Sequence, residues 1–370
     1  MTERRGFALP RLAARDHASV FWLIAAPFAA LAAAALSNVV LYASIGVDPL
    51  AVFKAMLIDP FTSYFSFSEI LLKAGPLLLI AQGLAIGFRA KVFNIGAEGQ
   101  FVLGAIFASA IPVYSPQVSG IWFWPSMLIL GALGGLLWAS ITAFWRVRLN
   151  ANEILVSLML SFVAIQLLNY LLLGPWKDPM GFNFPQSVMF PLDALLPVLL
   201  PGTRVNISLL IALFVALLAW IFTVRSFAGY RLEVGGLAPG AARYAGFSQN
   251  GAIWLSLLIG GAAAGLAGAA EVAGPVGQLQ RSTSTGYGYA AIIVAYLGGL
   301  NPIGIVFASF LMATLYIGGD NAMVSAGLPI AAVNVFQGSL LLAYLIFATF
   351  VRKRLVWPQA AAGQAVARRA

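Results

Sequence analysis

The stretch Phe93-Asn94-Ile95-Gly96-Ala97-Glu98-Gly99-Gln100 decides how this chain is read. It follows the cationic Arg89 and Lys91 and breaks a long apolar run. One reading is local. Asn94 caps a helix, and Glu98 sits favourably at the positive end of its first turn. Capping alone leaves the density of polar and glycine positions unaccounted for. Interrupted helices in transporters use such stretches to line a pathway. An ionisable group among membrane spans is costly, and so marks a functional candidate.

The surrounding composition supports a membrane setting. Of 370 residues, 61% are hydrophobic and 9% charged, against about 25% charged in a soluble domain. Too little polar surface remains to cover a soluble fold, and disorder requires the opposite balance. With no Cys, disulfides, thiolate metal sites and Cys nucleophiles are excluded. The single His17 lies in a basic N-terminal stretch, which gives no basis for His-metal clusters or His general-base chemistry. No catalytic residue, metal site or cofactor bound by this chain is expected.

A membrane-crossing helix needs about 20 mainly apolar residues. Ten such segments are expected, at 20–44, 69–88, 93–112, 121–145, 153–173, 206–224, 250–272, 286–300, 303–319 and 329–351. The first is read as a retained anchor rather than a signal peptide, because its apolar stretch is long and many spans follow. The cations set the orientation. Lys54, Lys73, Lys177, Arg204 and Arg281 fall on or near the outer side, and the rest of the 21 Lys and Arg fall inside when both termini are cytoplasmic. The net charge of +9 is therefore a topology signal and not a mark of nucleic-acid binding. This gives a cytoplasmic segment 1–19, a transmembrane domain 20–351 and a cytoplasmic tail 352–370. An outer loop, 174–205, and an inner loop, 225–249, are the long connections. The Pro-rich outer loop is either a linker or a docking surface for an external partner.

Gly131 and Gly135, and Gly261 and Gly265 with Gly268 nearby, have the spacing of closely packed membrane helices. Glu69 and Lys73 are expected to pair one turn apart. Asn150 or Asn152 can cap the fifth span, with Glu153 in its first turn, and Asp320 is expected to be solvated. A second polar interruption runs from Glu271 through Pro275, Gln278, Gln280 and Arg281 to Tyr289. It cannot be a simple span, and irregular backbone at membrane depth must be buried in protein or line a cavity.

None of the five lysines is followed by Ser or Thr, so the chain carries no P-loop. The central spans hold few ionisable groups, unlike an ion-coupled carrier. A pathway without an engine implies an engine on another chain. The inner loop offers a joint. Pro239 suits the first position of a short helix, Ala241, Ala242 and Ala245 permit close approach, and Arg243 and Tyr244 are of types enriched at binding hot spots. A solvent-exposed connector helix fits the same composition.

Four stretches together resemble a known family: 93–100 with Gly104-Ala105; Ala151-Asn152-Glu153-Ile154 with Leu158-Met159-Leu160; the inner loop 236–246; and Gly286 to Ala291 through Leu297 to Pro302. The chain resembles the permease subunits of ATP-binding-cassette importers in the branched-chain amino acid, ribose and nucleoside group. It is most similar to the longer permease of nucleoside and simple-sugar importers. Ala238 stands where the family usually has Asn, and Ser161 where many relatives have Asn. The resemblance implies an all-α polytopic membrane fold with two inverted repeats, spans 2–5 and 7–10. It implies residence in the bacterial inner membrane and three kinds of partner: ATPase subunits carrying ATP and Mg, a second and shorter permease, and an extracytoplasmic substrate-binding protein. Gly236, Pro239, Ala241, Ala242, Arg243, Tyr244, Ala245 and Gly246 would couple to the ATPase. Asn94, Glu98, Gln100, Glu271, Gln278 and Tyr287 would line the pathway for nucleosides or related purines, with simple sugars as the alternative. An ATP-independent carrier or channel is the reading from another class.

Overall fold

The computed structural model describes residues 11–14, 20–115, 117, 120–284 and 286–356. His17 and the terminal cations Arg4, Arg5, Arg15, Arg368 and Arg369 lie outside them, as do most of the two expected tails. Among the described residues, nine helices are long and apolar enough to cross a membrane. The chain divides into two compact units.

The first unit gathers residues 1–52 and 326–370. Its long helices are α1 (Val20–Ile45) and α13 (Ile330–Arg352). The buried Asn38 amide donates to Ser339 Oγ at 2.8 Å, a polar tie between the two. Strand β1 (Arg11–Ala14) pairs antiparallel with β2 (Lys353–Val356). The sequence reading expected no strand here. Backbone pairing between chain ends so far apart leaves no side-chain period to read.

The second unit spans residues 53–325. The short α2 (Pro49–Leu57) crosses the division. Then follow α3 (Tyr64–Arg89), α4 (Ala97–Tyr114), α5 (Phe123–Leu149), α6 (Glu153–Leu173) and α7 (Ser208–Arg225). The inner loop forms α8 (Phe227–Leu237) and α9 (Pro239–Tyr244). The unit closes with α10 (Gln249–Glu271), α11 (Tyr287–Leu297) and α12 (Pro302–Ala326). The eighth expected span is the exception to the sequence reading. Its helix α11 has 11 residues, about 16 Å at the α-helical rise, where a bilayer core is about 30 Å.

Helix α3 is the central element, buried along almost all of its length from Ser68 to Phe88. Helices α4, α5 and α10 meet through glycine. A Cβ on Gly135 would lie 2.2 Å from Gly261 O, one on Gly265 2.2 Å from Gly131 O, and one on Gly104 2.2 Å from Gly265 O. The two glycine pairs thus face each other, and backbones touch where lipid offers no hydrophobic drive for association.

Candidate translocation and coupling sites

Two breaks in the helices build the first site. After α3, residues 90–96 are irregular, and Asn94 reaches Gly260 midway along α10. Asn94 Oδ1 accepts from the Gly96 N–H at 3.0 Å, and the Asn94 amide pairs with Gln100 Oε1 at 2.8 Å. Helix α6 supplies two further acceptors: Ser157 Oγ to the Ile95 N–H, and Ser161 Oγ to the Gly99 N–H. Gly96 and Gly99 permit this. A Cβ on either would lie 2.7 Å from Ser157 or Ser161. Ser161 is a small residue against Gly99, and its hydroxyl is in use.

The second break follows α10. Residues Val272–Val276 form a π-helical turn, and Gly277 then turns the chain with φ of 69°. Loop 174–205 satisfies the freed backbone. The Ser187 N–H donates to Leu279 O, the Phe190 N–H to Gly277 O, and the Leu196 N–H to Ala273 O, while Ser187 Oγ accepts from the Leu279 N–H. So the Pro-rich loop is more than a linker: part of it supplies hydrogen bonds that irregular backbone needs away from water.

The breaks meet at Glu98, in the first turn of α4 and fully buried. Glu98 Oε1 accepts from Ser284 Oγ at 2.8 Å and the Gly286 N–H at 3.0 Å, and Oε2 accepts from the Gly288 N–H at 2.7 Å. Glu98 therefore caps the start of α11 as well as sitting in the first turn of its own helix. Two positive helix ends converge on one carboxyl group, and their donors offset part of the cost of burying it. Gly288 makes the approach possible: a Cβ on it would lie 2.2 Å from Glu98 N.

The six expected pathway residues divide between three settings. Asn94, Gln100 and Glu98 are buried and spend their hydrogen bonds within this junction. Tyr287 is buried edge-on between Phe101 and Tyr316. Glu271 and Gln278 keep partial exposure. Gln278 Nε2 donates to Gln186 Oε1 at 3.5 Å. Glu271 stands at the start of the π turn, within electrostatic range of Lys73 and Arg204.

Those cations belong to a charged group that the sequence reading paired differently. Glu69 holds Arg204 through two hydrogen bonds, at 3.0 and 2.5 Å. That contact raises the pKa of the Arg204 guanidinium further above neutrality. Lys73 instead pairs with Asp320 at 3.4 Å. So the one-turn Glu69–Lys73 pair does not form, and Asp320 is half-exposed but partnered. The partners are remote in sequence, and a planar bidentate match favours arginine over a neighbouring lysine. Asn152 caps α6 at the Ile154 N–H, Asn150 ends α5 with φ of 50°, and Glu153 binds Arg146 at 3.1 Å.

The second site is α9, which α7 separates from loop 174–205. Pro239 opens it, and Ala238 gives it no side-chain cap. It ends by the Gly246 N–H donating to Arg243 O and the Phe247 N–H to Ala242 O, with Gly246 at φ of 77°. This is the glycine-ended helix stop that fixes the following direction. Ala242 is buried against the unit, whereas Ala241, Arg243, Tyr244 and Ala245 are exposed, Tyr244 by 97%. Gly236, in α8, is buried and abuts Arg89 O, 2.2 Å from where a Cβ would sit. The loop thus presents an exposed arginine and an exposed tyrosine on a short helix closed by its own backbone hydrogen bonds.

Long apolar helices, a buried polar junction where α4 and the short α11 begin, and an exposed inner loop define a multi-pass membrane permease. Residues 66–345 match the family described as branched-chain amino acid transport system / permease component, and the chain belongs to it. It is 36% identical over 335 residues to the glucose ABC transporter permease protein TsgB13 of Haloferax volcanii, covering 87% of each chain. It is 31% identical over 280 residues to the guanosine ABC transporter permease protein NupP of Bacillus subtilis, covering 74% of this chain and 79% of the relative. A second guanosine ABC transporter permease protein of that organism, NupQ, is 24% identical over 245 residues, 65% of this chain and 76% of the relative. No solved structure matches the chain significantly.

Proposed function

We propose that this chain is a permease subunit of an ATP-driven importer in the bacterial inner membrane, moving nucleosides or related purines by alternating access. Both termini and α9 face the cytoplasm; loop 174–205 faces outward, where a substrate-binding protein docks. A second permease stands beside this one; the match to both NupP and NupQ supports a paired arrangement. ATP and Mg are held by ATPase subunits, and the exposed Ala241, Arg243, Tyr244 and Ala245 of α9 enter a groove on one of them. Gly236, Pro239, Ala242 and Gly246 fix the geometry of that projection.

The observation that carries the substrate class is Glu98. Free helix N-termini at mid-membrane attract anionic substrate groups. Here the donors at the start of α11 are already taken up by the buried Glu98 side chain, which also sits in the first turn of α4. That arrangement supports a neutral polar substrate. Glu271 and Gln278 face the passing substrate, with Asn94, Glu98, Gln100 and Tyr287 shaping the wall behind them. Simple sugars are the second reading, favoured by the 36% identity to a glucose permease protein.

The test is uptake into proteoliposomes holding this chain, its second permease and the ATPase, with the binding protein outside. The expected result is ATP-dependent uptake of radiolabelled guanosine that excess unlabelled adenosine suppresses. Uptake of glucose instead would select the sugar reading. Guanosine or glucose uptake by this chain alone, without ATP, would sink both.

A further inference from the structure

Behind α9 lies a cavity of about 320 Å³ that the coupling reading leaves unused. Its lining includes Lys91, Arg146 and Arg231, and one carboxylate, Glu153. That carboxylate is committed to Arg146 at 3.1 Å. Glu233, the nearest acidic residue along α8, does not line the cavity and lies 3.9 Å from Arg89. Lys91 and Arg231 therefore line the space, both solvent-exposed and without a carboxylate partner.

Both are held in place. The Arg231 guanidinium carbon stands 5.5 Å from the Phe247 ring centre and 5.9 Å from that of Phe227, so aromatic faces steady it while its N–H donors stay available. Lys91 adopts φ of 56° at the end of α3. Its N–H donates to Phe88 O and the Val92 N–H to Gly87 O, a helix stop that ordinarily takes glycine. A lysine there accepts backbone strain, and that φ sets the direction in which its side chain leaves the backbone. The floor is apolar, with Val92, Leu232 and Ala252, and Pro239 and Ala242 of α9 form one wall.

We propose that this cavity binds a phosphate-bearing anion, contacted by Lys91 and Arg231, and that its occupant braces α9. Cationic pockets between membrane helices bind phosphorylated head groups, and the same donors would take a free phosphate. The proposal concerns binding by this chain and stands independently of which substrate is carried.

The experiment measures thermal unfolding of the full chain in phosphatidylcholine nanodiscs. One arm titrates inorganic phosphate against chloride at constant ionic strength. The other replaces part of the lipid with phosphatidylglycerol. Stabilisation in the first arm identifies a soluble phosphate ligand, and stabilisation only in the second a lipid head group. Lys91→Gln with Arg231→Gln should weaken the effect roughly tenfold, while the equal charge change Arg148→Gln with Arg225→Gln leaves it intact. Lys91→Gly guards against misfolding: it relieves the strained φ, so the protein alone should melt no lower, yet its anion stabilisation should weaken. No stabilisation in either arm overturns the proposal. So does equal weakening by both double variants, or unchanged anion stabilisation in Lys91→Gly.

Discussion

The junction at Glu98 and the projection at α9 are opposites. At Glu98 a charge is fully buried, and its acceptors are met by three donors of the same chain. At Tyr244 an aromatic side chain is 97% exposed on a turn whose backbone is tightly closed. The first region completes the fold; the second presents exposed side chains. The contrast separates positions where substitution acts through stability from positions where it acts through a partner.

The largest expected effect is at the carboxylate. Glu98→Ala leaves the buried Gly288 amide and the half-buried Gly286 amide without an acceptor and should destabilise by about 3–5 kcal/mol, read as a fall in the thermal midpoint of purified protein. Gly288→Ala forces a methyl into a 2.2 Å gap against Glu98 N; about 2–3 kcal/mol is expected. Glu98→Gln keeps an acceptor but gives up the charge between two helix ends, and should cost about 1–2 kcal/mol. The surviving Glu98→Gln protein should transport normally. Lost uptake at an unchanged melting point would instead make Glu98 a group that touches substrate. Ser161→Ala removes one acceptor, that of the Gly99 N–H, for about 1 kcal/mol. Smallest is Arg243→Ala with Tyr244→Ala, whose effect on the midpoint should stay within about 0.5 kcal/mol. A large stability loss there would erase the contrast.

The two regions also differ in how far the sequence revealed them. Asn94, Glu98 and Gln100 stood out because polar groups close together interrupt an apolar run. The glycine pairs of α5 and α10 did so through their four-residue spacing. Pro239 marked the start of α9 by its backbone preference. What Glu98 meets was not legible: its donors are mostly backbone amides nearly two hundred positions away, and an amide has no residue-type signature. The same holds for loop 186–196 pairing with residues 273–279. Arg204 was legible as an outer cation but not as the partner of Glu69, since a one-turn neighbour, Lys73, offered the simpler match. The short α11 read as a span because its composition is largely apolar, and composition does not record where a helix begins.

The most direct measurement puts the α9 double variant into proteoliposomes with the ATPase, the second permease and the binding protein, and follows ATP-dependent guanosine uptake. The account predicts that Arg243→Ala with Tyr244→Ala inserts and melts like the unaltered chain, while uptake falls at least about tenfold, the loss of roughly 1.4 kcal/mol or more of hot-spot contact with the ATPase. Uptake at the unaltered rate would contradict it, because the exposed side chains of α9 would then carry no coupling.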